Sequence, residues 1–113
     1  MTAVALDSTL LALADPTRRG VVDLLRRRPH RAGELAEALE MSAPAMSRHL
    51  RVLRRSGLVR EEGLPEDARV RVYQLEPRPF AELRRWLDEV EAFWSEQLEG
   101  FRAHAERSAR RRR

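Results

Sequence analysis

The sequence predicts a mainly α-helical fold, a winged helix-turn-helix with its elements in the order α-α-α-α-β-β-α. Apolar residues recur at helical spacing up to residue 57 and again from residue 79. Between these segments, residues 58–75 have the composition of two short strands joined by a turn-rich loop. The chain has 113 residues, which suits one domain of ordinary size. We therefore predict a single domain over residues 1–106 and a basic, disordered tail over residues 107–113.

Two helices are predicted before residue 29. Residues 4–13 are rich in leucine and indicate a short first helix. Asp15 and Pro16 begin the second helix, because Asp caps a free amide at a helix N-terminus and Pro has no amide there to leave unsatisfied. The second helix ends before Pro29.

The next two helices form the predicted helix-turn-helix. Residues 32–39 are helical by their apolar period, and a tight turn leads to a fourth helix at about 43–55. We expect Ser42 to cap its start and Gly57 to end it in the left-handed conformation. One face of this helix is apolar and is expected to be buried, namely Met46, Leu50 and Leu53.

A hairpin and a long helix complete the predicted fold. Residues 58–59 and 70–73 are strand-like, and residues 61–68 are predicted to be the loop between them. From residue 79 to about residue 106 the apolar residues return to alternating spacings of three and four, which predicts a long last helix.

Charge is segregated along the chain. All 22 basic residues are arginine, and five of them lie in the last seven residues, so residues 1–106 have a net charge of −1. Residues 41–60 contain five arginines and no acid, whereas residues 76–106 contain eight acids and four arginines. A basic segment on a near-neutral body suits a surface that faces phosphates.

The fourth helix has the features of a DNA-reading helix. If its apolar face is buried, the opposite face presents Ala43, Pro44, Ser47, Arg48 and Arg51. Small residues at its start allow the backbone close to the major groove, Ser47 can reach a base or a phosphate, and Arg48 can bond guanine O6 and N7. Taken alone, any one arginine of this helix could simply lie on a solvated face. Four arginines without an acid on the same helix favour DNA binding.

Two segments carry a resemblance to a known family. The motifs LADPTR (residues 13–18) and SRHLRVLRRSGLV (residues 47–59), followed by VYQL, resemble the ArsR-type (ArsR/SmtB) winged helix-turn-helix repressors over roughly residues 6–101. The resemblance implies a homodimeric repressor of operator DNA, with the fourth helix in the major groove, the wing on the adjacent backbone, and the first and last helices at the dimer interface. By position, it implies DNA contact by Ser42, Ala43, Pro44, Ser47, Arg48 and His49.

His49 and the wing leave alternatives open. His49 lies at the edge of the apolar face, so it can either contact a phosphate or pack within the domain. Arg60, Arg69 and Arg71 are the wing residues suited to the DNA backbone. The loop 61–67 contains four acids, which phosphates repel, so we expect its tip to stay off the DNA. The alternative is that these arginines pair with the acids within the hairpin.

The last helix predicts self-association. Its aromatic, two-faced apolar stripe exceeds what one side of a small domain covers. The domain core could cover part of it, or the aromatic residues could instead line a ligand cavity. We expect a two-fold dimer that binds a pseudo-palindrome. The predicted interface consists of Leu6, Leu10, Phe80, Leu83, Leu87, Val90, Trp94 and Phe101.

Other function classes find little support in the residues. The chain has no cysteine, and Ala36 and Ala38 stand where the family's best-known metal site has cysteines. The histidines His30, His49 and His104 share no ligand spacing, so we expect no metal site and no cofactor. A glycine-rich phosphate loop and paired catalytic carboxylates are also missing, so we expect no enzyme. The N-terminus lacks the features of a secretory signal and no apolar run could span a membrane, so we expect a cytoplasmic protein.

Two rivals to the repressor remain open at this point. One is a protein-interaction module that keeps the fold and binds a partner through the acidic, aromatic-rich last helix. The other is a nonspecific nucleic-acid binder that acts through its arginine tail. For the repressor, the sequence leaves open an unknown inducer or protein partner.

Overall fold

A computed structural model describes residues 3–112 and contains the seven elements in the predicted order. The fold class and the order are confirmed. The chain divides into two compact units, residues 1–82 and residues 83–113. The elements are α1 (Ala3–Leu13), α2 (Pro16–Leu25), α3 (Ala32–Ala38), α4 (Ala43–Arg55), β1 (Val59–Gly63), β2 (Arg71–Leu75) and α5 (Pro77–Arg111).

Local capping sets the helix boundaries. The Asp15 side chain accepts a hydrogen bond of 3.0 Å from the Arg18 amide at the start of α2. The Ser42 side chain accepts one of 3.3 Å from the Ala45 amide at the start of α4. Gly57 follows α4 with φ of +75°. All three predicted signals are therefore confirmed.

The turn between α3 and α4 is closed by backbone hydrogen bonds. After α3, the Met41 amide donates to the Ala36 carbonyl at 2.8 Å and the Glu40 amide to the Glu37 carbonyl at 3.2 Å. These two bonds satisfy carbonyls that have no partner within the helix. They require one residue of the turn to adopt the left-handed backbone conformation. Glu40 does so with φ of +52°, although glycine would adopt this conformation with less strain.

The core of the first unit lies under α4. Its apolar face is buried as predicted, with Leu53 fully covered and Met46 and Leu50 exposed by no more than 2%. Side chains from α1, α2, α3 and β1 complete the cluster, and Phe80 packs against its edge. This packing fixes which face of α4 remains exposed.

The wing, defined as residues 59–75, is a two-stranded antiparallel hairpin. Its register pairs Val59 with Leu75 and Gly63 with Arg71. The structure differs here from the prediction, because β1 continues through Gly63 and the loop is shorter than residues 61–68. A side chain at position 63 would place its Cβ 2.8 Å from the Ala68 carbonyl oxygen, so glycine allows the strand to extend into the turn.

The last helix is longer than predicted. α5 has 35 residues and ends at Arg111, so residues 107–111 of the predicted disordered tail are helical. Arginine is a good helix former, and the cations Arg110 and Arg111 interact favourably with the negative end of the helix dipole. Arg113, the end of the predicted tail, lies outside the described residues. No helix within residues 3–112 combines the length and the apolarity needed to cross a membrane.

Candidate nucleic-acid interface

The exposed face of α4 carries most of the residues predicted to bind DNA. Its N-terminal turn begins with a serine, an alanine and a proline, whose small side chains leave the backbone accessible. One turn further, Ser47, Arg48 and Arg51 are exposed on the side opposite the buried face. The structure therefore brings together on one surface Ser42, Ala43, Pro44, Ser47, Arg48 and Arg51.

The arginines of α4 differ in their partners. Within residues 3–112, the side chains of Arg48, Arg51 and Arg55 form no ion pair or hydrogen bond. Arg54 is engaged, because its Nη1 lies 3.0 Å from an oxygen of Glu61 on the wing. Three cations on this helix are therefore available to an anionic ligand without breaking an internal contact.

His49 has partners inside the domain. Its side chain is only 21% exposed, and its Nδ1 lies 3.4 Å from Arg18 Nη1 and 4.0 Å from Asp15 Oδ1. Of the two roles left open by the sequence, the structure provides contacts for packing within the domain. The imidazole thereby joins α4 to the start of α2.

The LADPTR motif forms a joint between α1 and α2, a role that the sequence reasoning did not identify. Arg18 donates from Nε to the Ala12 carbonyl at 2.7 Å and from Nη2 to the Leu11 carbonyl at 3.1 Å. Arg19 donates to the Leu13 carbonyl at 2.8 Å. These are carbonyls of the last turn of α1, which lack partners within that helix. The relevant signal was a pair of arginines in the first turn of the second predicted helix, five and six residues after Leu13.

Asp15 is held in its charged form at this joint. The hydrogen bond from the Arg18 amide is the largest cause that lowers the pKa of the Asp15 carboxyl, and the nearby charge of His49 acts in the same direction. Burial opposes the shift. A charged carboxylate at this position also interacts favourably with the positive end of the α2 dipole.

Arg60 is committed to the hairpin. Its guanidinium donates to Glu62 at 2.6 Å, to Glu76 at 2.7 Å and to Gln74 at 3.0 Å. The hydrogen bond to Glu76, followed by that to Glu62, raises the pKa of Arg60 above its ordinary value. The first of the three wing arginines is thus paired within the hairpin.

The other two wing arginines are also paired with acids. Arg69 bonds both carboxylate oxygens of Asp67 at 3.1 and 3.2 Å, and these bonds lower the pKa of Asp67. Arg71 Nε lies 3.0 Å from a Glu61 oxygen. The alternative that the sequence left open, pairing of the wing arginines within the hairpin, is the arrangement that the structure contains.

A basic groove separates α4 from the wing. It has a volume of about 500 Å³ and is lined by Ser47, Arg51, Arg54, Arg55 and Tyr73. Burial is the largest cause that raises the pKa of the Tyr73 hydroxyl, and the negative charge of Glu61 is the second. The phenol therefore stays neutral and can serve as a hydrogen-bonding group in the groove.

The predicted dimer residues fall into two classes. Leu6, Phe80, Leu83 and Val90 are half-buried in the single chain. The other four are exposed. The exposed fraction is 40% for Leu10, 50% for Leu87, 60% for Trp94 and 71% for Phe101. No described residue of α5 is buried. Val4 and Leu11 are also exposed large apolar residues, and so are three residues of the predicted apolar stripe of α5 that the predicted interface did not include, namely Trp86, Phe93 and Leu98.

Metal-binding side chains do not gather in the described part of the chain. Among residues 3–112, no three histidine, aspartate or glutamate side chains are close enough to hold a metal ion.

Sequence comparisons relate the chain to bacterial regulators. The sequence model described as "Bacterial regulatory protein, arsR family" matches residues 15–61. The HTH-type transcriptional regulator Rv2034 of Mycobacterium tuberculosis is 45% identical over 95 residues, which cover 84% of this chain and 83% of that protein. The transcriptional repressor SdpR of Bacillus subtilis is 35% identical over 54 residues, which cover 48% of this chain and 60% of that protein.

Solved structures extend the likeness to nearly the whole chain. An ArsR-like transcriptional regulator from Rhodococcus sp. RHA1 matches with a TM-score of 0.80 and 29% identity, covering 94% of this chain and 97% of that one. The crystal structure of the ArsR family transcriptional regulator RHA00566 matches with a TM-score of 0.74 and 35% identity, covering 84% of this chain and 95% of that one.

Proposed function

Because this chain belongs to the ArsR family of bacterial transcriptional regulators, as the two sequence motifs indicated, we propose that it is a homodimeric repressor that reads operator DNA through α4. The observation that carries the proposal is the exposed face of α4, where Arg48, Arg51 and Arg55 are free of internal partners among residues 3–112. The comparisons support the class of protein.

Base recognition is assigned to the first two turns of α4. Ala43 and Pro44 let the helix enter the major groove without steric hindrance, and the N-terminal end of a recognition helix is the part that approaches base edges. Arg48 can form two hydrogen bonds to one guanine, while Ser47 accepts or donates a single bond. The Ser42 hydroxyl is already engaged as the helix cap, so it contributes mainly by fixing the start of α4.

Phosphate contact is assigned first to the free cations. Arg51 and Arg55 line the groove between α4 and the wing and need break no internal contact to meet a phosphate. Arg60, Arg69 and Arg71 would have to exchange a carboxylate for a phosphate. We therefore propose that α4 provides most of the attraction to DNA, and that these three residues, through their pairs with acids, hold the wing in the orientation that meets the DNA backbone.

The dimer is proposed from the exposed apolar residues of α1 and α5. Regulators of this family bind DNA and typically act as dimers. Trp94 and Phe101 are more than half exposed, and water-exposed aromatic stripes of this kind usually mark an interface. We propose that a second copy covers them. Two copies related by a two-fold axis would present two α4 helices to half-sites about one helical turn, roughly 34 Å, apart.

DNA binding is tested by fluorescence anisotropy with the chain's own upstream region against a scrambled fragment, over a series of salt concentrations. The test variant is Ser47→Ala/Arg48→Ala. Arg27→Ala is the matched charge control, because Arg27 is exposed and has no side-chain partner within residues 3–112. A lost bidentate base contact should cost about 1–3 kcal/mol of discrimination.

The outcomes separate the proposal from its rivals. Preference for the upstream fragment that the double variant abolishes and Arg27→Ala preserves supports the operator hypothesis. Equal binding of both fragments, with affinity lost on deletion of residues 107–113, indicates a nonspecific binder instead. Absence of DNA binding, with a partner captured through the last helix, indicates an interaction module.

The dimer is tested separately by sedimentation equilibrium. Trp94→Ala removes a side chain that is 60% exposed in the single chain, so it should weaken the dimer with little effect on the folding of residues 3–82. Arg85→Ala, also on α5 and exposed, is the control. A wild-type protein that stays monomeric at micromolar concentration contradicts the dimer proposal.

A further inference from the structure

Glu61 lies beside the basic groove and joins its two sides. One carboxylate oxygen is 3.0 Å from Arg71 Nε on β2, and the other is 3.0 Å from Arg54 Nη1 on α4. The Glu61 side chain is only 19% exposed, whereas those of Arg54 and Arg71 are 54% and 50% exposed. A single acid thus holds one arginine of α4 and one arginine of the wing.

The strand register fixes this arrangement. Glu61 is paired with Tyr73 across the hairpin, and Tyr73 lines the groove together with Arg54. Glu62, the next residue, lies on the other face of the hairpin and bonds Arg60 and Gln74 instead. Of these two neighbouring acids, the one at position 61 therefore faces the surface proposed to meet DNA.

An acid at this position has an electrostatic cost for DNA binding. Arg54 lines the same groove as the free Arg51 and Arg55, and a phosphate would compete with Glu61 for the guanidinium groups of Arg54 and Arg71. Each pair is partly exposed, so its contribution to folding is small and it can be exchanged. The effect of Glu61 on binding is thus expected to exceed its effect on stability.

We propose that Glu61 is a positioning residue of the DNA-binding face, which fixes the wing to α4 through Arg71 and Arg54 and withholds their charge from phosphates. This inference rests on the proposed function and extends it to the control of specificity. By neutralising two cations that could bind any phosphate, Glu61 lowers affinity for arbitrary DNA. By fixing the wing, it favours the one geometry in which α4 and the wing meet the same duplex.

The test compares Glu61→Gln with a matched control in the same hairpin. Glu66→Gln removes the same charge from the wing loop, and Glu66 is exposed with no ion-pair partner within residues 3–112. Binding of upstream and scrambled DNA is measured over a salt series for the wild type and both variants.

Glu61→Gln should tighten binding to scrambled DNA and lower the preference for the upstream fragment. The plot of log K against log salt should become steeper by roughly 0.9 for each additional phosphate that the protein neutralises. Glu66→Gln should leave this slope unchanged. Equal slopes for the two variants on scrambled DNA would overturn the inference.

This readout keeps the two proposals distinguishable. A wild type without preference for upstream DNA contradicts the operator proposal, while the slope on scrambled DNA still decides the role of Glu61. A wild type with clear preference that Glu61→Gln leaves intact, at an unchanged slope, contradicts only the role of Glu61.

Tyr73 provides a second readout that does not depend on DNA. It is the one tyrosine in the sequence, so the absorbance of its ionised form can be followed by titration. Removing the Glu61 charge should lower the pKa of Tyr73 toward its ordinary value, and Glu66→Gln should shift it less. An unchanged titration in Glu61→Gln would show that the carboxylate does not face the groove in solution, which contradicts the inference.

Discussion

Arg18 should be one of the most important polar residues for stability, because it satisfies the end of α1. The Ala12 carbonyl belongs to a fully buried residue and receives its bond from Arg18 Nε at 2.7 Å. The Leu11 carbonyl also accepts from the Ala14 amide at 3.2 Å, so it depends less on Arg18. A hydrogen bond from a charged donor contributes roughly 1.5–3 kcal/mol, so Arg18→Ala should reduce the free energy of unfolding by roughly 2–3 kcal/mol.

Arg19→Ala is the matched control for this prediction. Arg19 lies next to Arg18 and donates one exposed bond to the Leu13 carbonyl at 2.8 Å. Its loss should cost less than about 1 kcal/mol, since exposed contacts are weak. Both variants are measured by urea unfolding with far-ultraviolet circular dichroism at one protein concentration, because dimerisation would make stability depend on concentration. Equal losses in the two variants would refute the assignment of Arg18 to the buried carbonyl.

Three further predictions concern helix ends and the core. Gly57→Ala should lower the free energy of unfolding by roughly 1 kcal/mol from backbone strain alone, since the added Cβ meets nothing within 4 Å. Glu40→Gly should raise it by up to about 1 kcal/mol, because glycine adopts the left-handed conformation with less strain. Urea unfolding measures both changes, and changes in the same direction would contradict the left-handed assignment. Because folding lowers the pKa of Asp15, the ionised carboxylate stabilises the fold at pH values above its pKa in the unfolded chain, which is about 4. This stabilisation is lost as the pH falls through the lower pKa of the folded state. The stability difference between wild type and Asp15→Asn should therefore shrink from about pH 6 to about pH 3, and a constant difference argues against it. Leu53→Ala should cost about 2–5 kcal/mol, because Leu53 is fully buried; a loss below about 1 kcal/mol would indicate that the core is packed differently.

The exposed face of α4 was largely predictable because α4 is an amphipathic helix. Once Met46, Leu50 and Leu53 are buried, the positions of Ser47, Arg48 and Arg51 follow from the helical repeat. The length of α5 was less predictable. An arginine-rich end has the composition of a disordered tail, yet arginine favours helix, and the helix continues to Arg111.

What the sequence determined by itself are the features that depend on near neighbours. The caps at Asp15 and Ser42 join residues three apart, and the buried face of α4 repeats every three to four residues. Such contacts form within one element, so they can be predicted from the spacing of residues in the sequence. The family, too, could be identified from two continuous motifs.

Only the tertiary structure decided the contacts between elements. The sequence left open whether the wing arginines were free, because their partners depend on the hairpin register. Arg60 bonds Gln74 and Glu76, which are 14 and 16 residues away, and Glu61 reaches Arg71 across the hairpin and Arg54 on α4. Likewise, His49 meets Arg18 at a separation of 31 residues. These pairs arise because burial of the common core brings distant segments together, and local periodicity contains no information about which polar side chains then meet.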